Sequence, residues 1–91
     1  MIDIEMKMFG VFRKFQKDKK PITFKIKSPA SIEQVKKVLS VRLSENSKEF
    51  DGNAEQLIMD SAIADDNEVL TSNTILDHSC SLSILPPVCG G

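Results

Sequence analysis

Residues 2–8 alternate without a break, with Ile2, Ile4, Met6 and Met8 on one face and Asp3, Glu5 and Lys7 on the other. A period of two sustained over seven residues belongs to a strand buried on one side, so the chain must build a sheet and cover one of its faces. The signature returns twice. Ile22, Phe24 and Ile26 alternate with Thr23, Lys25 and Lys27, and Cys80, Leu82 and Ile84 face away from Ser79, Ser81 and Ser83. The first two stretches are close enough to pair as a hairpin across the polar connection Lys17-Asp18-Lys19-Lys20-Pro21. Phe9, Val11, Phe12 and Phe15 keep the apolar content but lose the alternation, so the chain is expected to leave the sheet near Gly10.

Between the second and last strands the period changes. Ser31 is a plausible helix N-cap, Gln34 completes a capping-box pattern, and Ile32, Val35, Val38, Leu39 and Leu43 follow at helical spacing. Residues 44–56 are polar around Asp51-Gly52, with Phe50 the one strong anchor, and both a short helix and an irregular loop stay open there. Leu57 to Ala64 reads as an apolar run of strand length. Asp65-Asp66-Asn67 supplies turn chemistry before a short strand at Val69-Leu70, and Thr71 to Asp77 reads as a loop whose Ile75 and Leu76 plug into the core.

This order predicts an α+β domain, a mixed sheet of about four to five strands packed on one main helix. A β-grasp, with the last strand central beside the first, satisfies the order with short connections. The expected division is a domain over residues 1–85 and an extended tail over residues 86–91. No internal repeat, linker or low-complexity segment interrupts it.

A chain of 91 residues with 41% hydrophobic content has room for one core. At this size about 60–65% of the unfolded surface is buried, too little to enclose a large substrate and a catalytic constellation together. Function by docking to something larger is expected. Twelve Lys and Arg against thirteen Asp and Glu leave a net charge of −1, which argues against the strong basic field of a nucleic-acid binder. The local basic cluster, Arg13, Lys14, Lys17, Lys19 and Lys20, reads as a solvated loop.

No apolar run approaches the ~20 residues of a membrane span, and the start is acidic where a signal peptide would be basic. A cytoplasmic protein with no membrane partner is expected. Cys80 and Cys89 are too few for a disulfide framework and lack neighbours at metal-ligand spacing, so both are expected as reduced thiols.

The last six residues, Pro86-Pro87-Val88-Cys89-Gly90-Gly91, form a chemical device. Each proline fixes φ and lacks an N–H, so the pair ends sheet pairing and projects the last four residues in an extended direction. Gly90 and Gly91 have no side chain and can thread a channel too narrow for a Cβ. An ionised carboxylate is a poor acyl electrophile at neutral pH and must be activated, for instance as an acyl-adenylate. The chain has no P-loop, dinucleotide fingerprint or metal-ligand cluster to do this, so the activating enzyme must be a separate protein.

The organisation and the ending Leu85-Pro86-Pro87-Val88-Cys89-Gly90-Gly91 closely resemble the MoaD/ThiS family of sulfur carriers. Met8-Phe9-Gly10-Val11-Phe12-Arg13 is similar to the family's first-strand exit, and Asn67-Glu68-Val69, Thr74-Ile75-Leu76 and Leu82 to Val88 to its C-terminal half. The resemblance implies a β-grasp whose Gly91 is adenylated by an E1-like enzyme using ATP and Mg, with no cofactor held permanently. A sulfurtransferase or cysteine desulfurase system then makes the thiocarboxylate. The tail next enters the large subunit of molybdopterin synthase, where the sulfur goes to a pterin precursor to form the dithiolene. By the same carry-over Gly91 bears the reacting acyl group, Gly90 gives clearance, and Pro86, Pro87 and Val88 position the tail. Leu85 would edge the docking surface, with Cys89, Phe9 and Phe12 as further docking residues.

Two positions depart from the pattern. Cys89 stands where the family more often has Ser, Ala or Thr, and Ser79-Cys80 replaces the Gly-Asp/Glu usual before the last strand. For Cys89 a tolerated exposed thiol is the favoured reading over a thiol that captures activated Gly91 or joins a sulfur relay. Cys80 reads as a small core residue, and His78, without a paired acid or nucleophile, as a surface residue. Phe9, Val11 and Phe12 read first as core, with one or two of them near the tail open as a docking patch. Three functional alternatives stand beside molybdopterin synthesis. They are a protein modifier joined through Gly91 to target lysines, a sulfur carrier of thiamine synthesis, and a non-covalent β-grasp interaction module.

Overall fold

The alternation at the start of the chain becomes β1 (Ile2–Met8), whose four apolar side chains are all buried and whose charged ones are all exposed. The computed structural model describes residues 1–15 and 20–87. β1 pairs antiparallel with β2 (Ile22–Ile26), Ile4 opposite Phe24. On its other side it pairs in parallel with the last strand, β7 (Cys80–Leu85), Met6 opposite Leu82. Parallel neighbours need a long crossover between them, and the rest of the chain supplies it.

That crossover begins with a two-residue β3 (Ala30–Ser31) and enters α1 (Ile32–Asn46). The capping box is formed in full: the Gln34 amide donates to Ser31 Oγ at 3.1 Å and the Ser31 amide donates to Gln34 Oε1 at 2.8 Å. Ile32, Val35, Leu39 and Leu43 are buried on the face that meets the sheet residues in one core. Residues 44–56, left open by the sequence, end α1 and start a second helix, α2 (Gly52–Asp60), capped by Asp51 Oδ1 accepting from the Ala54 amide at 2.9 Å. Lys36 Nζ of α1 donates to the Met59 carbonyl of α2 at 3.0 Å.

The apolar run from Leu57 to Ala64 is therefore not one strand. Its first half finishes α2, where Ser61 Oγ donates to the Leu57 carbonyl and the backbone turns extended at Ser61. Only β4 (Ala62–Ala64) joins the sheet, antiparallel to β7. A short apolar run cannot by itself separate a buried helix end from a strand, and here it contains both. β5 (Val69–Leu70) pairs with β4, giving the order β2-β1-β7-β4-β5, with β7 central beside β1 as the β-grasp order requires.

Residues 71–77 also differ from expectation. β6 (Ile75–Leu76) pairs antiparallel with β3 as a separate two-stranded ribbon. Neighbours on an extended backbone point to opposite sides, so Leu76 is buried while Ile75 is 58% exposed. Leaving β1, residues Gly10–Phe15 form a single 3₁₀ helix that buries Phe12 and Phe15. Phe15 meets Phe50 edge to face at 5.6 Å. Phe9 and Val11, read first as core, are instead exposed by 44% and 53%, because the 3₁₀ turn directs Phe12 inward and leaves its neighbours outside.

Candidate functional site: the root of the C-terminal tail

β7 carries the chain out of the core stepwise. Ile84 is fully buried, Leu85 and Pro86 are half-buried and Pro87 is exposed. Leu85 still lies opposite Ala62 of β4, and Ile84 is opposite Met8 of β1. One step further the β1 side offers no strand, because the chain has turned at Gly10 with φ +59°. A Cβ on Gly10 would stand 2.7 Å from Pro86 Cγ, closer than real Cβ atoms come to a carbon. The Pro86 ring thus rests on the bare backbone of Gly10, and glycine is required both for the left-handed φ and for the space.

The residues either side of that seat are the exposed Phe9 and Val11, so the tail leaves the body beside apolar surface. Leu85, Pro86 and Phe9 are therefore brought together at one end of the sheet. Phe12 is not among them. It is fully buried and its amide donates to the Phe9 carbonyl at 3.2 Å, so it supports the turn from within and has no surface to offer a partner. Val88, Cys89, Gly90 and Gly91, assigned tail-positioning, docking and reacting roles by the sequence, lie outside the described residues.

The sequence reading missed Gly10 as the seat of Pro86. Gly10 was visible as the exit from the first strand, but its partner lies 76 positions later and only the parallel β1–β7 pairing brings the two together.

Other chemistry-bearing groups stand apart from this root. His78 is exposed, its Nδ1 2.7 Å from Asp77 Oδ1, a surface pair that offers orientation but no nucleophile. Cys80 is half-buried against the core from the far end of β7, and burial, then the Asp65 carboxylate, push its thiol above the ordinary value. That favours the protonated, unreactive form. Asp65 itself is held below the usual carboxylate range by the Asn67 and Glu68 amides, which donate to Oδ1 at 2.8 Å each and close the turn before β5. Among the described residues no group of three His, Cys, Asp or Glu side chains could hold a metal, and no helix is long and apolar enough to cross a membrane.

No protein-family model and no curated protein matches the chain. Solved structures do. A candidate molybdopterin converting factor, subunit 1, from Pyrococcus furiosus superposes with a TM-score of 0.67 at 17% identity, over 97% of this chain and 100% of that one. SAMP1 from Haloferax volcanii superposes with a TM-score of 0.68 at 16% identity, over 98% of this chain and 99% of that one. The chain has the ubiquitin-like β-grasp fold. At these identities the likeness is one of fold, and it runs through nearly the whole length of all three chains. In this β-grasp, the central strand is also the one that delivers the tail.

Proposed function

We propose that the chain is a sulfur carrier that acts as the small subunit of molybdopterin synthase and contributes no catalyst of its own. The carboxylate of Gly91 attacks the α-phosphate of ATP, held with Mg by an E1-like enzyme, and pyrophosphate leaves. A persulfide on a sulfurtransferase or cysteine desulfurase then displaces AMP to give an acyl disulfide. A thiol cleaves its S–S bond, releasing the thiocarboxylate as the thiol and the enzyme's sulfur become a disulfide; free sulfide displaces AMP to the thiocarboxylate directly. The large synthase subunit receives the tail, with Leu85, Pro86 and Phe9 against its surface, and passes the sulfur to the pterin precursor. Pro87, Val88, Cys89 and Gly90 carry the acyl carbon from the body into the large subunit.

The observation that carries this reading is the coupling of a Pro-Pro-Val-Cys-Gly-Gly ending to the central strand of a β-grasp, with a glycine seat that fixes where the tail begins. The candidate molybdopterin converting factor subunit among the structural neighbours supports the molybdopterin branch. The likeness to SAMP1, a ubiquitin-like small archaeal modifier, supports a second reading, in which a target lysine attacks the same activated Gly91 and forms an isopeptide.

The test is to incubate the chain with an E1-like enzyme, ATP, Mg and sulfide and to weigh the product. Exchange of one carboxylate oxygen for sulfur, lost on deleting Gly90 and Gly91, is the expected result. A mass unchanged in the presence of an enzyme that activates a known carrier would remove the proposal.

A further inference from the structure

β2 is the outermost strand on one side of the main sheet. Between its free edge and α1 lies a groove of about 420 Å³, lined by Thr23, Phe24 and Lys25 of the strand and by Val38, Val41 and Arg42 of the helix. A second groove of about 360 Å³ shares Lys25 and Val38 with the first and continues past Lys27 to Lys37. Together they follow the length of β2. The opposite edge of the sheet, β5, is only two residues long.

The backbone at this edge is turned outward. Arg42 Nη2 donates to the Thr23 carbonyl at 3.4 Å, which places that carbonyl on the open side of the strand. In an antiparallel ladder the N–H and C=O of one residue face the same way and the direction alternates along the strand, so Lys25 presents its pair outward as well. A row of such groups is a template for one more strand. Beside it, Val41 is 58% exposed and Val38 is half-buried, which gives apolar floor for every second side chain of an added strand.

Charge selects the occupant. The two grooves are lined by four cations, Lys25, Lys27, Lys37 and Arg42, and by two carboxylates, Asp3 and Glu45, a surplus of two positive charges on a chain of net charge −1. Asp3 is engaged by Lys25 and Glu33 by Lys37, while among the described residues Lys27 and Arg42 have no ion pair. A second copy of the chain pairing β2 to β2 would bring these lysines together, and like charges across a strand pair are unfavourable.

We propose that the β2 edge binds an extended acidic segment of a partner protein, which adds a strand to the sheet, covers Val38 and Val41 and sets its carboxylates against Arg42 and Lys27. This surface is separate from the tail root and does not depend on the chemistry at Gly91.

The probe is a fluorescein-labelled peptide with alternating valine and threonine at its centre and two glutamates at each end, titrated into the full chain. Saturable binding that weakens with salt is expected, with slowed hydrogen exchange at the Thr23 and Lys25 amides. Arg42→Glu, on the exposed face of α1, should weaken binding by about tenfold. Lys27→Glu serves as a second charge reversal where the first alters the circular dichroism. The proposal is overturned by absence of binding, by equal binding of a peptide with lysines in place of the glutamates, by protection confined to the tail root, or by self-association that excludes the peptide.

Discussion

The two ends of β7 are held by different means. At its start the Asp3 amide donates to Ser79 Oγ at 2.8 Å, Ser81 Oγ donates to Glu5 Oε1 at 3.2 Å, and Cys80 lies opposite Ile4. At its far end Pro86 has no N–H to give, and its ring sits on Gly10. Polar bonds to β1 tie the start, while shape positions the end. A strand anchored upstream leaves Leu85 and Pro86 placed by β4 and by Gly10, with no sheet hydrogen bond for Pro86 to give.

The largest effect should come from the part of β7 that both ends share. Leu82→Ala removes a buried side chain of the central strand from the core, at an expected cost of about 2–5 kcal/mol in urea unfolding. Both ends should then be lost together.

Gly10→Ala breaks the comparison at one end only. A non-glycine residue at φ +59° and a Cβ against Pro86 should cost about 1–3 kcal/mol. Activation of the tail by an E1-like enzyme should slow as well. Removing the opposing ring with Pro86→Ala should recover part of the loss, a coupling of about 0.5–3 kcal/mol in a double-mutant cycle. Strict additivity would show that the two residues do not share a seat.

Ser79→Ala probes the other end. Loss of one exposed hydrogen bond should lower stability by about 0.5–1.5 kcal/mol and leave the rate of tail activation unchanged. The smallest effect concerns pH. Burial, then the Asp65 carboxylate, raise the Cys80 thiol, so the folded chain holds that proton more tightly than the unfolded one. The stability this contributes is complete below the ordinary thiol range and is lost as pH rises through the raised value. Urea midpoints measured into the alkaline range should fall slightly more for the native chain than for Cys80→Ala.

Legibility in the sequence divides in the same way between local and distant causes. β1, β2, β7 and α1 each carry their period and their caps within a few residues, so their faces were legible, down to the Ser31–Gln34 box. α2 was not, because its sole strong upstream anchor is Phe50 and its last turn shares an apolar run with β4, the break falling at Ser61. β3 and β6 are too short to establish a period, so nothing in the sequence separates the exposed Ile75 from the buried Leu76. The motif of the tail is spelled in consecutive residues and so is visible in the sequence, although its last four residues lie outside the described ones. Its seat is not visible there, because Gly10 acquires that role only when the parallel pairing of β1 and β7 brings Pro86 above it.

The most direct test of the carrier role is the intact mass of the chain isolated from its own cells, with the C-terminal peptide sequenced by fragmentation. Expected is a peptide ending at Gly91 with sulfur in place of one carboxylate oxygen, the fraction falling when the E1-like enzyme is removed. A Gly91 carboxylate with no sulfur under any sulfur supply, together with Gly-Gly remnants on lysines of other proteins, would contradict it.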